Sequence, residues 1–279
     1  MASYAGQVDW VIKIGGRALI EEGDGPETLS RLAHDIAQLR KSGLSVAVIH
    51  GGGPAINAEL TRREITWSFL EGQRVTTPEM MDVIESVLCG SMNRKVVRAL
   101  QTAGVDALGF SGVDGQTFRC SQFDPRLERV GRIDEVRGKW IGLVASAGGV
   151  PVLAPIGSGA DGGAFNINAD WAAARVAVAL GAKRLVFLTD QDGILSPSGS
   201  CIGAVGDAGL ASLVEDKIVT GGMLAKVQTI RYALAHGVVD VRVANGKRGL
   251  IGCDGTACRL DAPTASVLLN DADNVEARA

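Results

Sequence analysis

The spacing of apolar residues along the chain alternates between the compact runs of strands and the 3.6-residue period of helices. DWVIKI (9–14) reads as a strand. Behind it, PETLSRLAHDIAQLRKSG carries Leu29, Leu32, Ile36 and Leu39 at helical spacing, with Pro26 in the opening turn and Gly43 as the stop. SVAVIH (45–50) is the next strand, and AINAELTRR opens the next helix. Thr77, Pro78 and Glu79 cap a long helical stretch that Gly90 is expected to interrupt and Gly104 to end. Beyond it, VDALGFSG, GVPVLAPIGSG, KRLVFLTD and VVDVRVANG read as buried strands, and ADWAAARVAVALGA and GMLAKVQTIRYALAHG as helices. Segment 117–138 breaks the rhythm by alternating apolar and charged residues, which predicts a hairpin beside the sheet.

This alternation implies an α/β fold, a mostly parallel sheet with helices on both faces. A boundary falls near Gly181, where loops rich in Gly and Asn give way to a compact strand–helix set. Ligands of such open sheets sit beyond the carboxyl ends of the strands, and the glycine-rich segments of this chain fall there.

Composition narrows the function classes. With 279 residues and 46% hydrophobic content, the chain can bury a large core. Lys and Arg (28) nearly balance Asp and Glu (31), the net charge is −3 and there is no basic block. No nucleic-acid or anionic-membrane partner is therefore expected, and small-molecule chemistry fits better. MASYAGQVDW lacks a basic start followed by an apolar run, and nothing approaches the ~18 apolar residues of a spanning helix, so a cytoplasmic location is expected. The five cysteines lack scaffold spacing and are expected to be reduced thiols. Cys253 and Cys258 in CDGTAC have no second ligand pair beside them, so no metal site is expected. His34, His50 and His236 offer little for a His-based metal or triad enzyme, and His50 reads as a structural hydrogen-bonder.

Two strand ends carry glycines, KIGGRAL (13–19) and HGGGPAIN (50–57), and neither has the spacing of a P-loop or a dinucleotide-binding loop. Backbone N–H groups and a helix N-terminus still converge at such turns, which suits phosphate or carboxylate oxygens. Lys13 lies inside an apolar strand, either as an edge lysine reaching solvent or as a charge clamp on a phosphoryl group. Lys226, after two glycines in TGGMLAKVQ, is likewise a surface lysine or a second clamp. Asp170, in FNINAD, is either a helix N-cap or a carboxylate that orients the lysines, while Asn166 and Asn168 are turn residues or polar anchors. Arg74, in EGQRVTTPE, makes either a surface pair or a fork onto a carboxylate.

Taken in order, KIGG (13–16), VIHGGGP (48–54), GQRVT (72–76), GFSGVDG (109–115), FNINAD (165–170), LTDQDGIL (188–195) and GGMLAKV (221–227) resemble the amino-acid kinase family, spread through about 210 residues. The resemblance implies a three-layer αβα sandwich. Residues 1–181 would form a half that binds an acylated amino acid and makes a dimer contact, and 182–279 a half that binds the nucleotide. It implies phosphorylation of the γ-carboxylate of N-acetyl-L-glutamate by ATP with Mg²⁺, a step of arginine biosynthesis. On the same footing, Lys13 and Lys226 would clamp the transferring phosphoryl group, Asp170 would hold both lysines, and Gly15 and Gly16 would contact phosphate. Gly52 and Gly53 would donate backbone N–H groups to the acceptor, with Arg74 on its α-carboxylate and Asn166 on its acylated amine. Asp190, Gly193, Ile194 and Leu195, with Ile218, Thr220, Gly222 and Met223, would line the nucleotide.

The first strand begins near Asp9, with no room for the long N-terminal helix of arginine-inhibited hexameric members, so a homodimer is expected. Transfer to an ionised carboxylate needs charge neutralisation and in-line placement rather than a general base, which accords with the few histidines. Two other readings stay open. One is a kinase of the same family for carrier-protein-linked glutamate or aminoadipate, and the other is a non-catalytic sensor of amino acid or nucleotide.

Overall fold

A computed structural model describes residues 8–19, 25–251 and 255–260. In chain order the elements are β1 (Trp10–Ile14), α1 (Gly25–Lys41), β2 (Val46–His50), α2 (Gly53–Arg62), β3 (Phe69–Leu70), β4 (Gln73–Arg74), α3 (Pro78–Glu85), a π-helical segment (Ser86–Met92), α4 (Asn93–Thr102), β5 (Ala107–Ser111), β6 (Phe118–Gln122) and β7 (Gly131–Val136). There follow α5 (Lys139–Ser146), β8 (Val150–Ala154), β9 (Ile156–Gly159), β10 (Ala164–Asn166), α6 (Ala169–Ala179), β11 (Arg184–Thr189), β12 (Ala204–Gly206), α7 (Asp207–Glu215), α8 (Gly221–Ala235), β13 (Asp240–Asn245) and β14 (Thr256–Arg259).

Among the described residues eight strands form the central sheet, in the order β12-β14-β13-β11-β1-β2-β8-β5. The six from β13 to β5 are parallel, and β14 runs against β13. The pleat divides the apolar side chains between two layers. Ile12, Ile14, Val46, Val48 and Val152 pack with α1 and α4. Val11, Ala47, Ile49, Phe187 and Val243 pack with α5, α6, α7 and α8. This is the three-layer αβα arrangement.

The punctuation residues act as their chemistry requires. Thr77 accepts a hydrogen bond from Met80 N at 3.2 Å at the head of α3. Gly43 takes φ +86° after α1, and Leu44 N returns to Leu39 O, the closing bond of a left-handed helix stop. The hairpin expected over 117–138 is β6 with β7, antiparallel, and it joins β9 and β10 in a second sheet of order β10-β9-β6-β7.

Three expectations need correction. Gly90 does not break its helix, because the turn widens into the π segment and the chain stays helical from Pro78 to Thr102. GVPVLAPIGSG is two strands that part at Pro155: β8 stays in the central sheet, and β9 carries the chain past its carboxyl end into the second sheet. VDALGFSG forms the sheet's outermost strand, with Leu108 55% exposed, rather than a strand buried on both faces. The turn at Gly181 leads from α6 into β11, which pairs directly with β1, so strands from both sides of that position share one sheet.

Phe118 ties the second sheet to the main core and is fully buried. Phe118→Ala is expected to lower unfolding free energy by about 3–5 kcal/mol, read as a reduced urea midpoint with little change in slope.

Candidate active site

β1 lies between β11 and β2, so Lys13 is not on an edge. Strand alternation puts Lys13 on the same face as Val11, the face that α6 and α8 cover. Asn168 caps α6, its Oδ1 accepting from Asp170 N at 2.8 Å and Trp171 N at 3.3 Å. The cap role thus belongs to Asn168 and leaves the Asp170 side chain, in the positive first turn, free for another partner. That carboxylate stands between two lysines. Lys13 Nζ is 2.9 Å from Oδ1 in an ion pair, and Lys226 Nζ donates to Oδ2 at 2.7 Å.

Lys226 is buried in α8, its ammonium 5.0 Å from the centre of the Phe187 ring on β11, which excludes the surface-lysine reading. Burial works to raise the Asp170 pKa, but the charges of Lys13 and Lys226 outweigh it and hold the carboxyl well below its ordinary 3.8. Burial pushes the Lys226 pKa down from its ordinary value and Asp170 opposes that shift. Two ammonium groups against one carboxylate leave positive charge in a largely desolvated place, which suits an incoming polyanion.

The glycine loops after β1 and β2 lean on one another. Gly51 N donates to Ile14 O at 2.9 Å, and a Cβ on Gly16 would lie 3.0 Å from Gly53 N and from Pro54 Cδ. A Cβ on Gly52 would come within 2.6 Å of Leu88 Cδ2, and one on Gly15 within 3.0 Å of Leu188 O, whereas Gly53 faces open space. Close packing of backbone on backbone therefore explains several of these glycines before any ligand is considered. The chain leaves β1 for β2 on one side while β11 returns on the other, so a crevice opens at these carboxyl ends.

Arg74 is buried at the end of β4, flanked by Trp67 at 5.1 Å and Phe69 at 4.8 Å from its guanidinium carbon. Nη2 donates to Asn57 Oδ1, and Nη1 is buried without a hydrogen-bond partner among the described residues. No ion pair with an acid is formed among the described residues, so Arg74 makes no surface pair. A buried donor left unpaired is costly, and a carboxylate is the group whose oxygens a guanidinium fork matches. Asn166, at the end of β10, donates from Nδ2 to Thr76 Oγ1 at 3.1 Å. Thr76 is two residues from Arg74, so this hydrogen bond ties the ends of β4 and β10, strands of two different sheets, to one place.

On the other side, Asp190 is exposed at the end of β11 and pairs with Arg17 of the loop after β1. Gly193 packs on Thr256 and Cys201, and Ile194 N accepts a fixed position by donating to Thr256 Oγ1 at 2.8 Å. The Ile194 side chain is wholly within the core, Leu195 is half-buried, and Ile218 and Met223 pack on the core's edge. Thr220 and Gly222 are exposed at the start of α8, the helix that carries Lys226. Asp192 is held by Asn245 at 2.8 Å and Arg248 at 2.7 Å, which pins the loop after β11 to the end of β13.

Among the described residues no group of three or more His, Cys, Asp or Glu side chains gathers to hold a metal ion, and Cys253 lies outside them. Sequence reading missed Asn57, Trp67, Phe69 and Thr76, which shape the Arg74 pocket. The available signal was two aromatics, one residue apart, ahead of a short polar turn and the arginine, a pattern whose meaning depends on the hairpin bringing them around the guanidinium.

The sequence pattern described as the Amino acid kinase family matches residues 10–245. The chain is 39% identical over 257 residues to the acetylglutamate kinase of Acidiphilium cryptum (strain JF-5), covering 88% of this chain and 84% of that one. It is 40% identical over 249 residues to the acetylglutamate kinase of Oleidesulfovibrio alaskensis, covering 85% and 83%. Among solved structures, N-acetylglutamate synthase from Neisseria gonorrhoeae, complexed with coenzyme A and N-acetyl-glutamate, superposes with a TM-score of 0.80 at 25% identity, over 92% of this chain and 60% of that one. The smu.665 protein of Streptococcus mutans UA159 gives 0.81 at 26%, over 90% and 98%.

The state of Asp170 yields a pH prediction. The unfolded carboxyl protonates near 3.8 and the folded one only below it, so the unfolded chain takes the proton first. This part of stability is complete above that range and is lost as pH falls through it. Urea denaturation from neutral to about pH 2 should show that acid loss, and Asp170→Asn should flatten it. The same variant should be less stable at neutral pH by about 3–5 kcal/mol, because two lysines lose their counter-ion.

Proposed function

Since the chain belongs to the amino acid kinase family, we propose that it transfers the γ-phosphoryl group of ATP to the γ-carboxylate of N-acetyl-L-glutamate in arginine biosynthesis. A carboxylate oxygen of the acceptor attacks the γ-phosphorus, the bond to the β,γ-bridging oxygen breaks, and ADP leaves with that electron pair. No proton needs to move, since the acceptor is already ionised. The observation that carries this reading is the pair of ammonium groups on one buried carboxylate, the half-buried Lys13 and the buried Lys226 on Asp170.

In this reading Lys13 and Lys226 meet the equatorial phosphoryl oxygens, and Asp170 keeps the two like charges together and aimed. Gly15 and Gly16 face the phosphates, while Gly52 and Gly53 donate to the acceptor. The unpaired Nη1 of Arg74 takes the α-carboxylate, and Asn166 takes the acylated amine. Asp190, Gly193, Ile194 and Leu195, with Ile218, Thr220, Gly222 and Met223, border the nucleotide, several of them through main chain, since Ile194 turns its side chain into the core. Residues 1–181 then serve the acceptor and 182–279 the nucleotide. Mg²⁺ supplies charge neutralisation on the phosphates. The lack of a carboxylate cluster among the described residues suits an ion held by phosphate oxygens and water rather than by a protein cage.

A homodimer is part of the same proposal. Among the described residues the sheet ends on β5, which pairs with β8 alone, and Leu108 lies exposed on it, an edge that a second copy would cover. A cytoplasmic location, where ATP is at hand, belongs to the same proposal; no helix among the described residues is long and apolar enough to cross a membrane.

Release of ADP should be fast with N-acetyl-L-glutamate and slow with glutamate or a carrier-linked substrate. ATP binding without ADP release from any of them would favour the sensor reading instead. Arg74→Ala should raise the acceptor KM by about tenfold or more and leave the ATP KM nearly unchanged, measured by initial rates. Lys226→Ala should depress kcat far more than ATP affinity, read from turnover alongside nucleotide titration.

A further inference from the structure

His50 ends β2 and is fully buried beside the second glycine loop. Its Nδ1 donates to Gly51 O at 3.0 Å, which leaves Nε2 as an acceptor, and Asn93 Nδ2 donates to that nitrogen at 3.2 Å. The same Asn93 amide donates to Val152 O on β8 at 3.0 Å, and its Oδ1 accepts from Arg94 Nη2 at 2.5 Å. Arg94 in turn donates to Gly109 O at 2.7 Å. Every polar atom of the buried His50–Asn93 pair therefore has a partner. Burial pushes the His50 pKa down to about 4, with the Arg94 charge acting in the same direction, so the ring is neutral near pH 7 as the network requires.

Asn93 directly follows the π-helical segment, and Leu88 lies within it. In a regular α-helix these positions, five apart, would point about 140° away from each other. A π turn bonds i to i+5 and its wider winding brings them to the same side of the helix. Leu88 consequently packs on Gly52 while Asn93 reaches His50, both against the same loop.

We infer that Asn93 is a positioning residue: through His50 it fixes the Gly51 carbonyl and so aims the Gly52 and Gly53 N–H groups, and the π turn aligns Asn93 and Leu88 for that task. The inference rests on the reading of this loop as the acceptor's site. Asn93 touches no reacting atom in this scheme, and its effect passes through the loop.

The test uses Asn93→Ala and Asn93→Leu in the full chain, the second keeping volume while removing the donors. The acceptor KM is expected to rise about fivefold or more, the worth of about one hydrogen bond, with the ATP KM within about twofold of wild type. Amide hydrogen exchange in residues 48–54 should accelerate in both variants, while exchange in α8 stays as in wild type. Equal changes in both KM values, or unchanged exchange in 48–54, would overturn the inference. A variant that only lowers the folded fraction would reduce kcat and leave both KM values alone, and it too would overturn it. Failure of the functional reading is separate: it appears as wild-type protein inactive on N-acetyl-L-glutamate, and exchange in 48–54 still decides the role of Asn93.

Discussion

The buried Asp170 carboxylate shared by Lys13 and Lys226 is the constraint around which the molecule is arranged. Burying two ammonium groups side by side is prohibitive without a counter-ion, and burying the carboxylate alone is costly as well. The three charges therefore come from three different elements, β1, α6 and α8, that must all be in place together. The central position of β1 keeps Lys13 out of bulk water, and the Asn168 cap releases the Asp170 side chain toward the sheet. A cluster assembled this way is preorganised, so no large rearrangement of protein dipoles is required when a phosphoryl group arrives.

The glycine loops follow from the same geometry. Placing a polyanion near the lysines requires a backbone lining at the ends of β1 and β2. Those two loops also contact each other so closely that a Cβ on Gly16 would meet the backbone of Gly53. Gly51 and Gly52 are accounted for by this packing and by Leu88, and Gly53 is the one whose outer side is open. What reads in sequence as a run of glycines for one purpose is divided by the structure between packing and access.

Much of the architecture was legible because it depends on local rules. The strand and helix periods, the stop at Gly43 and the cap at Thr77 each act within a few residues, and each occurs as its chemistry dictates. The exceptions share a cause. Gly90 permits a helix break but the packing of Leu88 and Asn93 against one loop favours a widened turn, and Pro155 marks a change of sheet that only the second sheet's pairing partners reveal. Leu108 has the composition of a buried strand, but which strand ends a sheet is set by topology and not by its residues.

The site divides the same way. By itself the sequence determined that a lysine sits in an apolar strand two residues before a glycine turn, that an aspartate stands at the head of a helix behind two asparagines, and that the motifs run in one family's order, because these are relations along the chain. Only the tertiary structure decided between clamp and surface lysine, since that depends on β1 being central and on α8 reaching over Phe187. It also decided that Arg74 is buried between Trp67 and Phe69 with one nitrogen unpaired, and that Asn93 reaches His50 across 43 residues of chain. Charge burial and hydrogen-bond partnership are properties of neighbours in space, and no spacing along the chain encodes them.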